Sequence, residues 1–272
     1  MSYFTFKNHR IFFDLQGEGQ PILILNGIMM STKSWDAFVP TLKANNMLLR
    51  VDFIDQGQSD KAQIEYTQDT QAELIYELLH TLNIKPINIV GISYGGEVAL
   101  HFAIKYPQYV ERLLLFNTTA KTSDWLLDIG RGWIITGKTR DPQAYYKQTI
   151  PVIYSPSFYT KNLAWMKKRE VTLKPVFSNP VFLDAMERLT ISAETHDVRK
   201  QLSSISVPTI IITATEDYLT PTPEQLYLHE HIKNSYLLSL PGVGHASMYE
   251  VPFVFASLVL GFVNNKITDY NL

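Results

Sequence analysis

Cysteine is absent from this chain, which excludes disulfide bridging and thiolate chemistry together. Basic residues are not gathered: the longest basic run is Lys167-Lys168-Arg169, within a net charge of −2 and a pI of about 6.4. A nucleic-acid partner would find no electrostatic footprint, and none is expected. No stretch reaches the ~18 uncharged apolar residues that a membrane span requires. The opening residues Met1–Arg10 lack the apolar centre of a secretory signal, so a cytoplasmic protein is expected. Internal repeats and low-complexity tracts are also missing. What the chain does have is apolar side chains, 46% of 272 residues, ample for a core and against disorder.

Those side chains fall into alternating short runs and helical patterns. Residues 3–15 alternate about a turn at Lys7-Asn8-His9 and predict a starting hairpin. Pro21–Leu25 predicts a buried strand, and a helix capped at Ser31 or Thr32 should follow it, with Trp35, Phe38, Val39 and Leu42 inward. Met47–Phe53 predicts the next strand, Thr67–Leu82 an amphipathic helix, and Arg112–Asn117 a further strand. From about Thr119 to Ser204 the pattern is helical and irregular, rich in proline and aromatics. Alternation resumes at Val207–Thr213, continues with a helix opening at Thr222-Pro223 and a strand over Ser235–Leu240, and closes with a helix over Tyr249–Asn265. Strands alternating with helices predict an α/β fold, a mostly parallel central sheet with helices on both faces. Its core comprises residues 1–118 and 205–272, and residues 119–204 form an inserted helical subdomain.

The stretch that organises this pattern is Ile87–Ala99. A β-branched run leads into Gly91-x-Ser93-x-Gly95, and a helical pattern follows without a break. Strand, G-x-S-x-G and helix in that order form the context of a nucleophile elbow, in which a strained turn lifts a serine hydroxyl clear of the sheet. Bulk two residues before or after the serine would strike the neighbouring strand or helix, which accounts for the glycines. The free N–H groups of the helix N-terminus are aimed at the same spot.

A serine nucleophile needs a base within hydrogen-bond reach and an acid to orient that base. On an open parallel sheet such groups gather beyond the C-terminal strand ends. Glu216 and Asp217 lie just past the strand ending at Thr213, and Gly242-Val243-Gly244-His245 just past the strand ending at Leu240. The candidate catalytic set is therefore Ser93, His245 and either Glu216 or Asp217. Acyl chemistry also needs two N–H donors for a developing oxyanion. The elbow supplies Tyr94 N–H, and the turn Asn26-Gly27-Ile28-Met29 after the first parallel strand supplies Ile28 N–H.

In these residues, from Pro21 to about Thr118 and again from Val207 to the end, the chain resembles the α/β-hydrolase superfamily. The order Ser93, Asp217, His245 matches that family's chain order. The resemblance implies an α/β-hydrolase fold whose insertion is a cap domain. It also favours Asp217 over Glu216 as the acid, because a short Thr/Pro-containing turn, Tyr218-Leu219-Thr220-Pro221, follows it directly. Two departures stand out. Asn26-Gly27 replaces the common His-Gly, and Asp52-Phe53-Ile54-Asp55-Gln56-Gly57-Gln58-Ser59 lacks the arginine and first glycine of D-x-R-G-x-G-x-S. With Asp217-Tyr218-x-Thr220 and Gly242-x-Gly244-His245, these features are similar in patches to the acyltransferase that makes the hydroxyacyl-ester precursor of rhamnolipids.

The resulting expectation is a serine hydrolase acting on a carboxylic ester, thioester or lactone with a hydrophobic acyl part, its partner a small-molecule acyl substrate. Acyl transfer to an alcohol or hydroxyacyl acceptor is one alternative, and a non-catalytic small-molecule receptor on the same fold is another. No metal or organic cofactor is implied. His229 and His231, two apart on a predicted helix, lie on different faces and cannot chelate one ion. His80 and His101 suit packing or capping within helices, and Asp52 and Asp55 a polar turn. The aromatics of the insertion, Trp133, Tyr145, Tyr146, Tyr154, Phe177 and Phe182 among them, either line an acyl pocket or build the insertion's own core.

Overall fold

In a computed structural model that describes residues 2–265, eight strands form one sheet in the order β1-β2-β4-β3-β5-β6-β7-β8. The starting hairpin is β1 (Ser2–Phe6) and β2 (His9–Gln16), turning at Lys7 and Asn8, both at positive φ. β2 pairs antiparallel with β4 (Asn46–Val51). β3 (Gln20–Leu25), β5 (Ile87–Ile92), β6 (Val110–Phe116), β7 (Thr209–Ala214) and β8 (Ser235–Leu240) extend the sheet in parallel. The chain leaves β3 toward β4 on one side and returns to β5 on the other. That reversal opens a crevice beyond the C-terminal ends of β3 and β5.

Period-two alternation splits the core. Leu23, Leu25, Leu49, Ile89 and Leu113 face the side covered by α2 (Gln68–Leu82) and α3 (Tyr94–Lys105). Ile22, Ile24, Leu48, Val90 and Leu114 face Trp35 and the closing helix. Helices therefore cover both faces, as both-sided burial of parallel strands demands.

Two predicted helices are broken in the structure. The segment after β3 is a single 3₁₀ turn, Thr32–Trp35, followed by a separate α1 (Val39–Leu42). Pro40 lies in the first turn of α1, the place where its missing N–H costs nothing. Trp35, Phe38, Val39 and Leu42 are nevertheless all buried. The closing helix is also two pieces, separated at Val251, whose ψ of 60° is forced out of the helical range by the proline that follows.

Between β6 and β7 lie α4 (Asp124–Lys138), α5 (Pro142–Thr149), α6 (Pro156–Lys161), α7 (Leu163–Phe177) and α8 (Pro180–Ala193). The two chain connections of this excursion pair with each other. A bridge joins Lys121 to Asp197, Thr122 N donates to His196 O, and Val198 N to Ala120 O. A second attachment is ionic: Arg188 on α8 donates Nη2 and Nε to Asp55 at 2.6 and 3.0 Å. Asp55 is fully buried and also accepts from Tyr66 Oη and Ala62 N. The remaining helices are α9 (Thr222–His231), α10 (Ser247–Glu250) and α11 (Pro252–Asn264).

Removing the guanidinium from this fork strands a buried carboxylate. Arg188→Met should cost ~3–5 kcal/mol of unfolding free energy, measured by urea titration, and an unchanged midpoint would refute the ionic anchor.

Candidate active site

β5 is buried along its whole length and ends at Ile92. Ser93 follows at φ 53°, ψ −121°, a conformation costing a non-glycine residue ~1–3 kcal/mol. The surroundings enforce it: Ser93 N donates to Phe116 O of β6, and Ser93 O accepts from Gly96 N, Glu97 N and Thr118 Oγ1. A Cβ on Gly91 would lie 2.7 Å from Gly95 O, and one on Gly95 would lie 2.2 Å from Leu25 O. Both motif glycines therefore permit close backbone approach. Gly96 is equally constrained, by the Thr118 side chain at 2.6 Å, although no motif singled it out.

Asp217 lies past β7, fully enclosed, and receives five hydrogen bonds. Oδ1 accepts from Leu219 N and Thr220 N, and Oδ2 from Asn117 Nδ2, Thr220 Oγ1 and His245 Nδ1, the last at 2.7 Å. Burial alone would raise this carboxyl, but the His245 ring and the donors of Thr220 and Asn117 outweigh it and hold Asp217 below the usual carboxylate range. Glu216 is half-buried and takes no part in this network. Asn117, at φ 49° just past the end of β6, went unnoticed in the sequence; its Oδ1 accepts from Ser247 Oγ, so it joins three strand-end loops. A lone Asn after a strand carries no signal by itself.

His245 is held by the insertion as well as by the core. Ala246 N donates to Ile153 O. Glu250 accepts from Ser155 N and Ser155 Oγ, each at 2.7 Å, and from Gly244 N. A Cβ on Gly244 would meet Ser155 N at 2.3 Å, so the glycine before the histidine makes room for the insertion's backbone.

The turn after β3 shows what Asn26, in place of the common histidine, does. Asn26 is fully buried and does not line the cavity. Its Nδ2 donates to Val51 O and Gln56 Oε1, and its Oδ1 accepts from Trp35 Nε1 at 2.7 Å. Gln56 Nε2 donates in turn to Gly27 O at 2.9 Å. Because a trans peptide points its C=O and the next N–H in opposite directions, this clamp turns Ile28 N–H away from Gln56.

Ser93, Tyr94, Ile28 and His245 all line one cavity of about 700 Å³. Trp133, Phe177 and Phe182 of the insertion form part of its wall, whereas Tyr145, Tyr146 and Tyr154 are fully buried within the insertion's own packing. The insertion aromatics therefore divide between the cavity wall and the insertion's own packing. The remaining candidates do other work. His101 sits between Asp69 Oδ1 and His196 Nδ1, His80 stacks on Tyr76, His229 meets Ser235 Oγ, and His231 stacks on Tyr227. Among the described residues no cluster of His, Asp and Glu is disposed to hold a metal ion.

A sequence model of the alpha/beta hydrolase fold family matches residues 20–252, and the chain belongs to that family. It is an enzyme of the hydrolase class. Over their full lengths it superposes with a TM-score of 0.98 and 54% identity on MGS-M2, an alpha/beta hydrolase enzyme from a Medee basin deep-sea metagenome library. It is 26% identical over 254 residues, 91% of this chain and 97% of the relative, to the pimeloyl-[acyl-carrier protein] methyl ester esterase of Nitrosomonas europaea. The enol-lactonase of Burkholderia xenovorans LB400 shares the fold, with a TM-score of 0.85 at 20% identity, over 97% of this chain and 100% of that one. No helix among the described residues is long and apolar enough to cross a membrane.

One buried acid of the cavity wall lies outside the candidate set. Glu97, one helical turn beyond Ser93, accepts from Gln68 Nε2, and burial pushes its carboxyl up to about 8. The folded state therefore prefers the protonated acid. Its contribution is full below the unfolded value near 4.5 and is lost as pH rises through 8. Glu97→Gln should raise Tm by ~2 °C or more at pH 8 and by less at pH 5, read by differential scanning calorimetry; a gain independent of pH would count against it.

Proposed function

We propose that this protein is a serine esterase, cleaving a carboxylic ester, thioester or lactone whose acyl part is hydrophobic. Ser93 attacks the acyl carbonyl while His245 takes its proton and then returns it to the leaving group. Asp217 orients His245 through Nδ1 and stabilises the charged ring. The oxyanion is received by Tyr94 N–H, in the first turn of α3 where amides have no intrahelical acceptor, and by Ile28 N–H on the clamped turn. Water then resolves the acyl-enzyme. In this reading the 119–204 insertion is the cap domain, roofing the acyl chain with Trp133, Phe177 and Phe182.

The observation that carries the proposal is the strained Ser93 on the wall of an apolar cavity shared with His245, whose Nδ1 is 2.7 Å from a carboxylate already held by four other donors. A structural turn needs neither the strain nor the convergence.

The test is intact mass after exposure to a fluorophosphonate. One adduct on the native chain and none on Ser93→Ala is expected, with ester turnover falling at least ~1,000-fold in the variant. An unlabelled native chain would sink the esterase reading and favour a receptor. If an added alcohol diverts the acyl group from water at low concentration, the same intermediate serves transfer instead.

A further inference from the structure

The charged side chains that border the cavity are not equivalent. Glu97 is tied to Gln68, and Asp36 accepts from Arg50 at 2.8 Å. Glu194 faces Arg131 at 3.9 Å. Lys33 is exposed to solvent. Arg169, on α7 in the insertion, differs from all of these.

Its guanidinium is half-buried on the cavity wall and surrounded by aromatic rings. The centroids of Tyr249, Trp165 and Tyr154 lie 4.6, 5.3 and 5.9 Å from Cζ. Such rings attract a cation through their faces, and neither tyrosine hydroxyl accepts a hydrogen bond from the guanidinium. Arg169 Nε is buried with no hydrogen-bond partner, and among the described residues no carboxylate pairs with the group. The neighbouring acid, Glu170, is engaged by Lys147 and Lys174 instead. Leaving a guanidinium partly desolvated without acceptors is costly, and five N–H donors in a rigid fork match a carboxylate or phosphate that would relieve the cost.

We propose that the molecule taken by this cavity carries an anionic oxyacid group, a carboxylate or a phosphate, at the end away from the scissile carbonyl, and that Arg169 receives it. This rests on the reading that the carbonyl docks at Ser93. The substrate class is then a half-ester of a dicarboxylic acid, or its phosphate-ended counterpart, rather than a neutral alkyl ester. The apolar side chains of the cavity that Ser93 and Arg169 share take the methylene chain, and the aromatic rings keep the guanidinium in place while it is unoccupied.

The experiment measures binding without turnover. In the Ser93→Ala background, calorimetry compares monomethyl suberate, the phosphonate that replaces its free carboxylate, and dimethyl suberate. At least one anionic ester should bind roughly tenfold or more tightly than the neutral one, and the tighter of the two identifies the oxyacid. Arg169→Gln in that background should erase the preference, and Arg169→Lys should restore part of it. Equal affinity for all three esters would overturn the proposal, and needs no Arg169 variant to be observed. A preference that survives Arg169→Gln would overturn the assignment to this residue. Neither result depends on Ser93 chemistry, which the fluorophosphonate experiment tests separately.

Discussion

Where α3 begins, helix and sheet approach as closely as backbone allows. A single carbon atom added at Gly95 would overlap Leu25 O, and the rest of the candidate site depends on that contact. It places the first turn of α3 against the end of β3, the strand next to β5 in the sheet. The elbow after β5 and the turn after β3 are thereby brought side by side. With Leu25 opposite Gly91, and Ile92 opposite Phe116 and then Ile212, the strand ends line up, and the loops that leave them converge on one volume. The Asp217 and His245 loops meet there because β7 and β8 pair in register up to Ala214 and Leu240.

Much of this was legible before any coordinates. The strand runs are short, β-branched and bounded by turns, so their pattern has one reading. G-x-S-x-G is readable because sterics leave glycine few substitutes at those positions. The broken helices were less legible: Trp35 through Leu42 has helical spacing, yet Pro40 and the extended Ser31 divide it, and spacing alone is blind to a missing N–H. Asn117 was invisible for another reason. Its role comes from three loops distant in sequence, and hydrogen-bond partners a hundred residues apart leave no local trace. Arg169 was equally invisible, because the lack of a partner at its Nε can be read only from the fold.

One departure from the family pattern, Asn26, is supported by a side chain distant in sequence. Asn26 stands where the common pattern has histidine, and its Nδ2 donates to Gln56, a position the pattern leaves variable. Together with Trp35 they fix the turn after β3 from behind, using groups that never reach the cavity. The change from His to Asn at this position therefore goes with a hydrogen-bonded support beneath the turn.

Glu250 adds a constraint of a different kind. One carboxylate holds the N-terminus of α6 and the glycine before His245 at once, while Arg188 secures the opposite side of the insertion to Asp55. The segment between β6 and β7 is thus tied to the core at two separate places. What the cavity accepts then falls to the side chains facing inward. Such a scaffold can be re-lined one residue at a time, changing what it admits while the floor beneath stays where it is.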